Sequence, residues 1–397
     1  MPAPIIQPIA TILTPHILQV GGGAVAQVAD VLKRLGVARP LVVTDPFMVK
    51  SGKVAAVLDP LAKAGMAAAV FSETVSDPTT TVIDAGVARL KAGGPGGAFD
   101  CMIGFGGGSP IDTAKAMAIL HAGGGAMRDW KVPAAADMPA LPIVAVPTTA
   151  GTGSEVTRFT IITDVASDEK MLILGLACLP VAAIVDYELT LSVPYRTTAD
   201  TGIDSLTHAI EAYVSKRANP YSDAAALSAM ARIARHIRTA CAEPDNRVAR
   251  AEMMFGATQA GMAFSNASVA LVHGMSRPIG AFFHVAHGLS NAMLLPSITA
   301  FSAAAALGRY ADCARAMGWA EAGEGDQAAV AKLLDGLRRL NADLKVPTPR
   351  QFGIDEKRYR DLIPTMAKQA LASGSPGNNP RVPTAEEIGA LYAEVYG

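Results

Sequence analysis

The sequence is poor in charged residues. Only 17% of its 397 residues are Asp, Glu, Lys or Arg, against about 25% in an average soluble protein. Half of the residues are hydrophobic, which excludes intrinsic disorder for most of the chain. The 34 basic and 35 acidic residues nearly cancel, so the chain lacks the positive charge that nucleic-acid binding requires. We therefore expect a folded protein without a nucleic-acid partner.

Cysteine pairs and a basic N-terminal segment are also missing. The four cysteines are isolated and form no CxxC pair, which favours free thiols in a reducing compartment. Residues 1–29 contain no Lys or Arg, whereas a secretory signal begins with a basic segment. These features predict a cytoplasmic protein.

Two later stretches, 253–276 and 278–308, carry no charge and are long enough to cross a bilayer. Each contains Asn and His side chains, which are unfavourable in lipid. We interpret them as buried helices of a soluble protein, and we expect no membrane partner.

The length predicts two domains, at roughly 100–200 residues per domain. In the first half, apolar runs at 40–44, 67–71, 99–105 and 142–147 alternate with helical patterns, which predicts a mainly parallel, doubly wound sheet. Beyond residue 193 the chain is rich in Ala, Leu and Met and lacks strand alternation. We expect an α/β dinucleotide-binding domain over 1–193 and an all-helical domain over 194–397. The helices predicted there are 200–214, 223–240, 247–264, 268–282, 333–343, 356–371 and 385–396.

A glycine-rich loop follows the apolar run at 99–105 and precedes a predicted helix. Its glycines are Gly106, Gly107 and Gly108. They permit close approach to backbone amides at a helix N-terminus, which is a common site for phosphate. Ser109 suits the N-cap, Pro110 the first helical position and Asp112 the capping box. The alternative is a well-capped turn without a ligand.

A second glycine pattern, at 21–26, fits G-x-G-x-x-A, and Asp45 follows about 20 residues later. A carboxylate at Asp45 would bind the ribose hydroxyls of NAD and repel the extra phosphate of NADP. The alternative is a turn residue before Pro46. A third loop, at 148–155, offers hydroxyls and amides to a cofactor, but it is equally consistent with a plain loop.

Asp204 and His208 are four residues apart on a predicted helix and therefore share one face. His273 and His287 lie in uncharged, apolar surroundings, where an imidazole without a partner is unfavourable. One Asp and three His residues suit a divalent first-row metal. The alternative is a set of core histidines with protein partners.

Two carboxylates, Asp200 and Glu211, extend the stripe of Asp204 and His208. They are candidates for hydrogen-bonding the metal ligands. The alternatives are a helix N-terminal charge for Asp200 and a solvated carboxylate for Glu211.

The chain resembles the iron-containing (group III) alcohol dehydrogenases over nearly its full length. The stretches that carry the resemblance are GFGGGSPIDTAKA, PTTAGTGSEVTRF, TGIDSLTHAIEAYVS, GMAFSNASVALVHGM, HVAHGLSNAMLLP and NNPR. The resemblance implies an N-terminal dinucleotide-binding domain and a C-terminal helical domain, in a dehydroquinate synthase-like architecture.

The resemblance also implies residue roles. Metal ligands are expected at Asp204, His208, His273 and His287, for Fe²⁺ or alternatively Zn²⁺. Contacts with NAD(H) are expected at Asp45, Asp77, Gly106, Gly107, Gly108, Ser109, Asp112, Thr148, Thr149, Thr152 and Lys170. Phe159 and Phe264 match positions near the substrate. Asp77 stands where many members have Asn.

One position departs from the family pattern. Many members carry a proton-handling histidine where this chain has Arg277, and an arginine stays protonated near neutral pH. His284, three residues before His287, is the candidate substitute. The alternative for His284 is a packed side chain that lines the pocket. Arg277 and His284 are thus the two residues considered for the catalytic proton step.

These features together predict a metal-dependent, NAD(H)-dependent alcohol dehydrogenase or aldehyde reductase that acts on a small primary alcohol or aldehyde. We expect a homodimer or larger homo-oligomer. Two alternatives share the fold, namely a hydroxyacid–oxoacid transhydrogenase and a maleylacetate reductase-like enzyme. A third alternative is a non-catalytic metal-binding assembly protein.

Overall fold

A computed structural model describes residues 9–397 of the chain. Within that range the chain forms two compact units. The α/β unit contains Thr14–Gly202 and Thr239–Gly261, and the helical unit contains 9–13, Ile203–Arg238 and Met262–Gly397. The first eight residues, which the expected domain 1–193 includes, lie outside the described residues. The boundary after residue 193 stays a prediction, although 194–202 and 239–261 belong to the same unit as the strands.

The strands lie in the first half of the chain, as the apolar runs predict. Successive side chains of a strand point to opposite faces of its sheet. Leu41 and Val43 accordingly pack into one hydrophobic core and Val42 into another. The strands are β1 Ile17–Val20, β2 Pro40–Val43, β3 Ala69–Phe71, β4 Cys101–Gly106, β5 Ile143–Pro147, β6 Phe159–Asp164, β7 Glu169–Leu174 and β8 Ala182–Val185.

The predicted parallel sheet is confirmed. Among the described residues it has six strands in the order β1-β8-β5-β4-β2-β3, and every neighbouring pair is parallel. Strands buried on both faces are typical of parallel sheets covered by helices. The helices of this region are α1 Val28–Leu35, α2 Pro46–Lys50, α3 Ala55–Lys63, α4 Thr80–Lys91 and α5 Gly108–Gly123. β4 and β5 are adjacent, so the loops that follow them leave the sheet side by side.

An antiparallel hairpin of β6 and β7 lies outside the main sheet. This hairpin was not predicted from the sequence. The buried face of β6 carries Thr160, Ile162 and Asp164, so the sequence there shows no alternation of apolar and polar residues. The hairpin matters for the site because its first strand is tied to α5.

The chain beyond Val185 is helical in the described residues, which confirms the expected helical C-terminal part. Local capping contributes to this structure: Thr384 and Glu387 form a capping box at the start of the last helix. The helices are α6 Tyr195–Val214, α7 Pro220–Ala242, α8 Arg247–Ala267, α9 Leu271–Phe283, α10 His287–Ala303, α11 Leu307–Ala316, α12 Asp326–Asp343, α13 Pro349–Phe352, α14 Glu356–Ala372 and α15 Ala385–Val395.

One helical stretch, His287–Ala316, is long and apolar enough to cross a membrane by length and composition alone, and 50% of its most apolar window is buried within the fold. Core helices of globular proteins meet the same criterion. Asn291 on this stretch is fully buried and hydrogen-bonded to Asp204, which is consistent with a core helix.

Candidate functional site

The helical unit brings the four predicted metal ligands together. Asp204 and His208 lie one turn apart on α6, His273 lies on α9, and His287 is the first residue of α10. The Oδ1 atom of Asp204 is 4.0, 3.5 and 3.7 Å from the Nε2 atoms of His208, His273 and His287. All four donor atoms lie within 4.8 Å of one another.

This donor set fits a divalent metal ion. Ligands about 2.0–2.2 Å from a common ion lie roughly 3–4 Å from one another, which agrees with the separations in the cluster. Asp204, His208 and His273 are buried, whereas the side chain of His287 is 46% exposed. A cluster with three buried ligands and one exposed ligand can hold an ion and still admit a small molecule beside it.

Glu211 orients His273. Its Oε2 atom lies 2.6 Å from Nδ1 of His273 and accepts a hydrogen bond from the Ala270 amide at 3.0 Å, while Oε1 accepts one from the Val272 amide at 2.5 Å. An Nδ1–H that donates to Glu211 leaves the Nε2 lone pair of His273 directed at the cluster. The interpretation of Glu211 as a solvated carboxylate is wrong, because its side chain is buried. Asp200 is also buried and pairs with Arg196, one turn earlier, at 2.5 Å.

Sequence reasoning missed Asn291. Its Nδ2 atom donates to Oδ1 of Asp204 at 2.6 Å and lies 3.2 Å from Nε2 of both His273 and His287. Its Oδ1 atom is buried without a hydrogen-bond partner. The available signal was its spacing, four residues after His287 on the same helix, which places both side chains on one face.

The two buried histidines of the cluster have opposite pKa shifts. Burial lowers the pKa of His208 to about 3, so its imidazole is neutral at pH 7, and it stacks on Phe264 with ring centroids 4.2 Å apart. Burial alone would lower the pKa of His273, but its hydrogen bonds with Asp204 and Glu211 raise it to about 9. A metal that binds His273 must therefore displace a proton, which makes metal binding pH-dependent.

The two residues considered for the proton step lie on or next to α9. Arg277 follows His273 by one turn and is partly buried. His284 ends the helix, is exposed, and adopts the left-handed conformation with φ 54°. That conformation is uncommon for a residue other than glycine.

The predicted phosphate loop lies between β4 and α5. Gly106 has φ 146°, a value that favours glycine, and a Cβ atom on it would lie 2.6 Å from the Pro110 ring. The first turn of α5 has no side-chain cap. Its amides are therefore open to an anionic ligand.

The threonine loop after β5 packs against the glycine loop. The Thr148 amide donates to the Gly106 carbonyl at 2.8 Å, and a Cβ on Gly108 would lie 2.9 Å from the Thr152 methyl group. The Thr148 hydroxyl is buried without a hydrogen-bond partner. Close packing, uncapped amides and an unpartnered hydroxyl fit a bound phosphate group.

The expected capping box at Ser109 is wrong. The helix begins at Gly108 with Gly107 as N-cap, because a carboxylate needed for the box is used elsewhere. Asp112 is bonded in the interior, where it accepts hydrogen bonds from the Ser154 hydroxyl at 2.5 Å and the Ile161 amide at 3.0 Å. It therefore joins α5 to the threonine loop and the hairpin.

The first glycine pattern already has an anion of its own. Asp186 accepts hydrogen bonds from the amides of Gly23 and Val25, each at 3.1 Å. A carboxylate in this turn disfavours a phosphate in the same place. The glycine loop after β4 is therefore the better phosphate site.

Three further predicted cofactor residues lie in the α/β unit. Asp45 follows β2 and caps α2, where its Oδ1 atom accepts from the Met48 amide at 2.9 Å. Asp77 and Lys170 form an ion pair at 2.9 Å. The predicted substrate residue Phe159 starts β6, and its carbonyl accepts a hydrogen bond from Lys115 at 2.8 Å.

Two family models match the chain almost end to end. The model described as iron-containing alcohol dehydrogenase matches residues 15–187, and the model described as the C-terminal part of the Fe-containing alcohol dehydrogenase family matches 198–396.

Curated relatives are similar over most of their length. The chain is 38% identical to long-chain-alcohol dehydrogenase 1 of Geobacillus thermodenitrificans, with 91% of each chain covered. It is 36% identical to the NAD-dependent methanol dehydrogenase of Bacillus methanolicus, over 93% of this chain and 95% of the relative. It is 37% identical to lactaldehyde reductase of Escherichia coli, over 94% and 96%.

Solved structures show the same architecture. A crystal structure of 1,3-propanediol oxidoreductase matches with a TM-score of 0.92 at 35% identity, and the match covers 98% of this chain and 100% of that one. An alcohol dehydrogenase from Oenococcus oeni matches with a TM-score of 0.91 at 31% identity and the same coverage.

Proposed function

The chain belongs to the iron-containing alcohol dehydrogenase family, and we propose that it interconverts a small alcohol and its aldehyde with NAD(H) and a divalent metal. The observation that carries this proposal is the cluster of Asp204, His208, His273 and His287, whose donor atoms lie within 4.8 Å of one another. We propose Fe²⁺ as the resident ion, and Zn²⁺ fits the same donors.

The chain's own residues have distinct tasks in this reaction. Asp204 and the three imidazoles would hold the ion, which when bound supplies the positive charge that polarises the oxygen of the alcohol or aldehyde. Glu211 holds His273 in the tautomer that presents Nε2, and Asn291 holds the Asp204 carboxylate. Phe264 covers one face of His208 and keeps water from it.

The cofactor is proposed to bind the α/β unit. NAD(H) would supply or accept the hydride. Its pyrophosphate would be bound by the amides of the first turn of α5 and by the hydroxyls of Thr148, Thr149 and Thr152. Gly106 and Gly107 precede α5 and Gly108 is its first residue, and glycines at these positions let a phosphate approach the backbone. Asp45 at the end of β2 would accept hydrogen bonds from the ribose with the Oδ2 atom that capping leaves unused.

The test is a turnover assay with a panel of small primary alcohols, diols and hydroxy acids, and their aldehydes. The metal-free protein is loaded with Fe²⁺ or Zn²⁺, and absorbance of NADH is followed. We expect turnover only with metal and with NAD(H). Turnover that is independent of added and retained metal would contradict the proposal. Retention of cofactor without exchange with free NAD would instead indicate the transhydrogenase.

Cofactor choice is tested at Asp45. Replacing it with glycine (Asp45→Gly) removes the carboxylate that repels a 2′-phosphate, so the preference for NAD over NADP should fall about tenfold, or 1.4 kcal/mol of differential transition-state binding. Asp59→Gly, in the exposed half of α3, controls for loss of a nearby charge. An unchanged preference in Asp45→Gly would remove Asp45 from the ribose site.

The cytoplasmic location and the homo-oligomeric state remain proposals. The location is supported by the four cysteines, which are free and buried, as expected for a reducing compartment.

A further inference from the structure

Arg277 lies on the same face of α9 as His273, which is one of the candidate metal ligands. It follows His273 by four residues on α9, and residues at this spacing lie one above the other on a helix. His273 Nε2 lies 3.5 Å from Asp204 Oδ1 within the cluster. The two side chains therefore leave the helix about 6 Å apart along its axis.

No protein group pairs with this guanidinium. Within residues 9–397 Arg277 forms no side-chain hydrogen bond and no ion pair. Glu211 is the charged group that acts on it. Both oxygens of Glu211 are already used, since Oε1 binds the Val272 amide and Oε2 binds the Ala270 amide and His273. Glu211 therefore attracts Arg277 without forming a hydrogen bond or an ion pair with it.

An arginine in this situation is unfavourable unless a partner arrives. Burial lowers the pKa of Arg277, which means that its charged form has lost hydration, yet an arginine still keeps its proton near neutral pH. A desolvated charge without a partner costs free energy. When a divalent ion balances Asp204 and Glu211, the charge of Arg277 stays unmatched.

We propose that Arg277 binds the carboxylate of an anionic substrate, so that the preferred substrates are short aldehyde acids and the matching hydroxy acids. This inference rests on the proposed function of the same site. A planar guanidinium binds a carboxylate with two parallel hydrogen bonds.

The competing role for Arg277 is structural, as a distant counter-charge to Glu211. The two roles make different predictions. Removing a structural counter-charge would lower metal retention and would weaken the binding of all substrates equally. Removing a carboxylate-binding residue would lower the affinity for anionic ligands relative to that for neutral ligands. The experiment must therefore compare ligands of equal shape and different charge.

The first measurement is equilibrium binding and needs no turnover. Butanoate and its neutral analogue butyramide are titrated into the metal-loaded protein by calorimetry, with sulfonate and phosphate analogues of the same length as further arms. We expect butanoate to bind at least about tenfold more tightly than butyramide, and Arg277→Gln to abolish that difference. Tighter binding of the sulfonate or phosphate analogue would change the anion assigned to the subsite. Equal binding of butanoate and butyramide by the wild-type protein would overturn the proposal.

The second measurement is kinetic. Wild type, Arg277→Gln, Arg277→Lys and the control Arg358→Gln are compared on an aldehyde acid of four carbons and on butanal. Arg358 is exposed and binds the Phe282 carbonyl at 3.1 Å. We expect the kcat/KM ratio of acid to neutral aldehyde to fall at least about tenfold in Arg277→Gln, mainly through KM, to recover in part with Lys, and to stay unchanged in Arg358→Gln.

Metal content and thermal unfolding of each variant separate a binding effect from misfolding. If Arg277→Gln does not fold, Arg277→Lys and the wild-type calorimetry decide the question. An unchanged ratio in folded, metal-loaded Arg277→Gln would reject the role. Butanoate binding through Arg277 without any NAD-linked turnover would reject the proposed function and leave the anion site standing.

Discussion

Each compact unit holds a group of charged and titratable side chains that are mostly buried, and the two groups differ in how many of their polar atoms have protein partners. In the α/β unit the group is Asp112, Lys115 and Glu155. In the helical unit it comprises Asp204, Glu211 and Arg277 with the three cluster histidines. The first group is closed, because each member has protein partners. The second is open, because several of its polar atoms have none.

The closed group joins α5 to its neighbours. Lys115 is fully buried and donates to the Thr157 carbonyl and hydroxyl at 2.9 and 3.1 Å and to the Phe159 carbonyl at 2.8 Å. Glu155 accepts from the Thr258 hydroxyl at 2.7 Å. Burial raises the pKa of both Asp112 and Glu155, while the charge of Lys115 opposes that shift. This arrangement leaves no position for a ligand.

The open group retains unused capacity. Nδ1 of His208 is buried without a partner, as is Oδ1 of Asn291, whose Nδ2 atom binds Asp204. The partly buried Arg277 has no hydrogen-bond or ion-pair partner within residues 9–397. Buried polar groups in folded proteins are normally paired, so an unpaired set marks a place where a metal or substrate supplies the missing contacts. Buried charge by itself therefore does not identify a functional site, whereas polar atoms without protein partners beside a candidate metal cluster are available to a ligand.

The largest effect is expected when the open group loses a ligand. His273→Ala should reduce metal affinity and turnover by more than roughly 10–100-fold, which is the loss typical when a residue that hydrogen-bonds a metal ligand is replaced. NADH binding should change little, because His273 is not part of the glycine or threonine loops. Metal analysis and NADH fluorescence titration measure the two effects. His236→Ala, a histidine of α7 without an assigned role, is the control, and normal metal content in His273→Ala would reject the ligand assignment.

Breaking the closed group should change stability rather than metal binding. Lys115→Met leaves Asp112 and Glu155 buried without their cation, so the free energy of unfolding should fall by about 3–5 kcal/mol. Urea unfolding measures this loss, and Lys63→Met, at the exposed end of α3, is the control.

The pH dependence of that variant provides a second check. Burial raises the pKa of both carboxyls above their unfolded values, so the native state binds more protons than the unfolded state between those values. Stability contributed in this way is present at low pH and is lost as pH rises through the native pKa. The deficit of Lys115→Met should therefore be smaller at pH 5 than at pH 8, and a deficit that grows on acidification would contradict this account.

The smallest effect sharpens the comparison within the open group. Glu211→Gln keeps the shape of the side chain and removes the charge that selects the His273 tautomer. Metal affinity, measured by competition with a chelator, should fall about 10–100-fold. The free energy of unfolding should change little. Glu394→Gln on α15 is the control. Equal metal affinity in the variant and the wild type would show that Glu211 does not orient the ligand.

Local patterns predicted part of the fold and the site well. The apolar runs located β2, β4 and β5 within about two residues, and the four-residue spacing of Asp204 and His208 placed them on one face of α6. These signals depend on neighbours along the chain. The uncharged stretch 278–308, which was interpreted as a buried helix, contains α10 with its buried leucines as expected, whereas no helix was predicted over α11.

Other features depend on partners far away in the sequence. The predicted capping box failed because Asp112 bonds Ser154 and Ile161, more than 40 residues later. The turn at 21–26 is a poor phosphate site because two of its backbone amides donate hydrogen bonds to Asp186. Asn291 was not predicted as a site residue because its hydrogen bond joins it to Asp204, which is distant in the sequence.

The sequence by itself determined the types and the local spacing of the groups: a glycine loop before a helix, an Asp and a His one turn apart, and two further histidines in apolar surroundings. Helical and strand periodicity are set by backbone geometry, so such spacing can be interpreted without a structure. Only the tertiary structure decided which groups are satisfied. Partners for buried charges come from distant segments. Packing gave Glu211 three donors and Lys115 three acceptors, and it left Arg277 without a partner among the described residues.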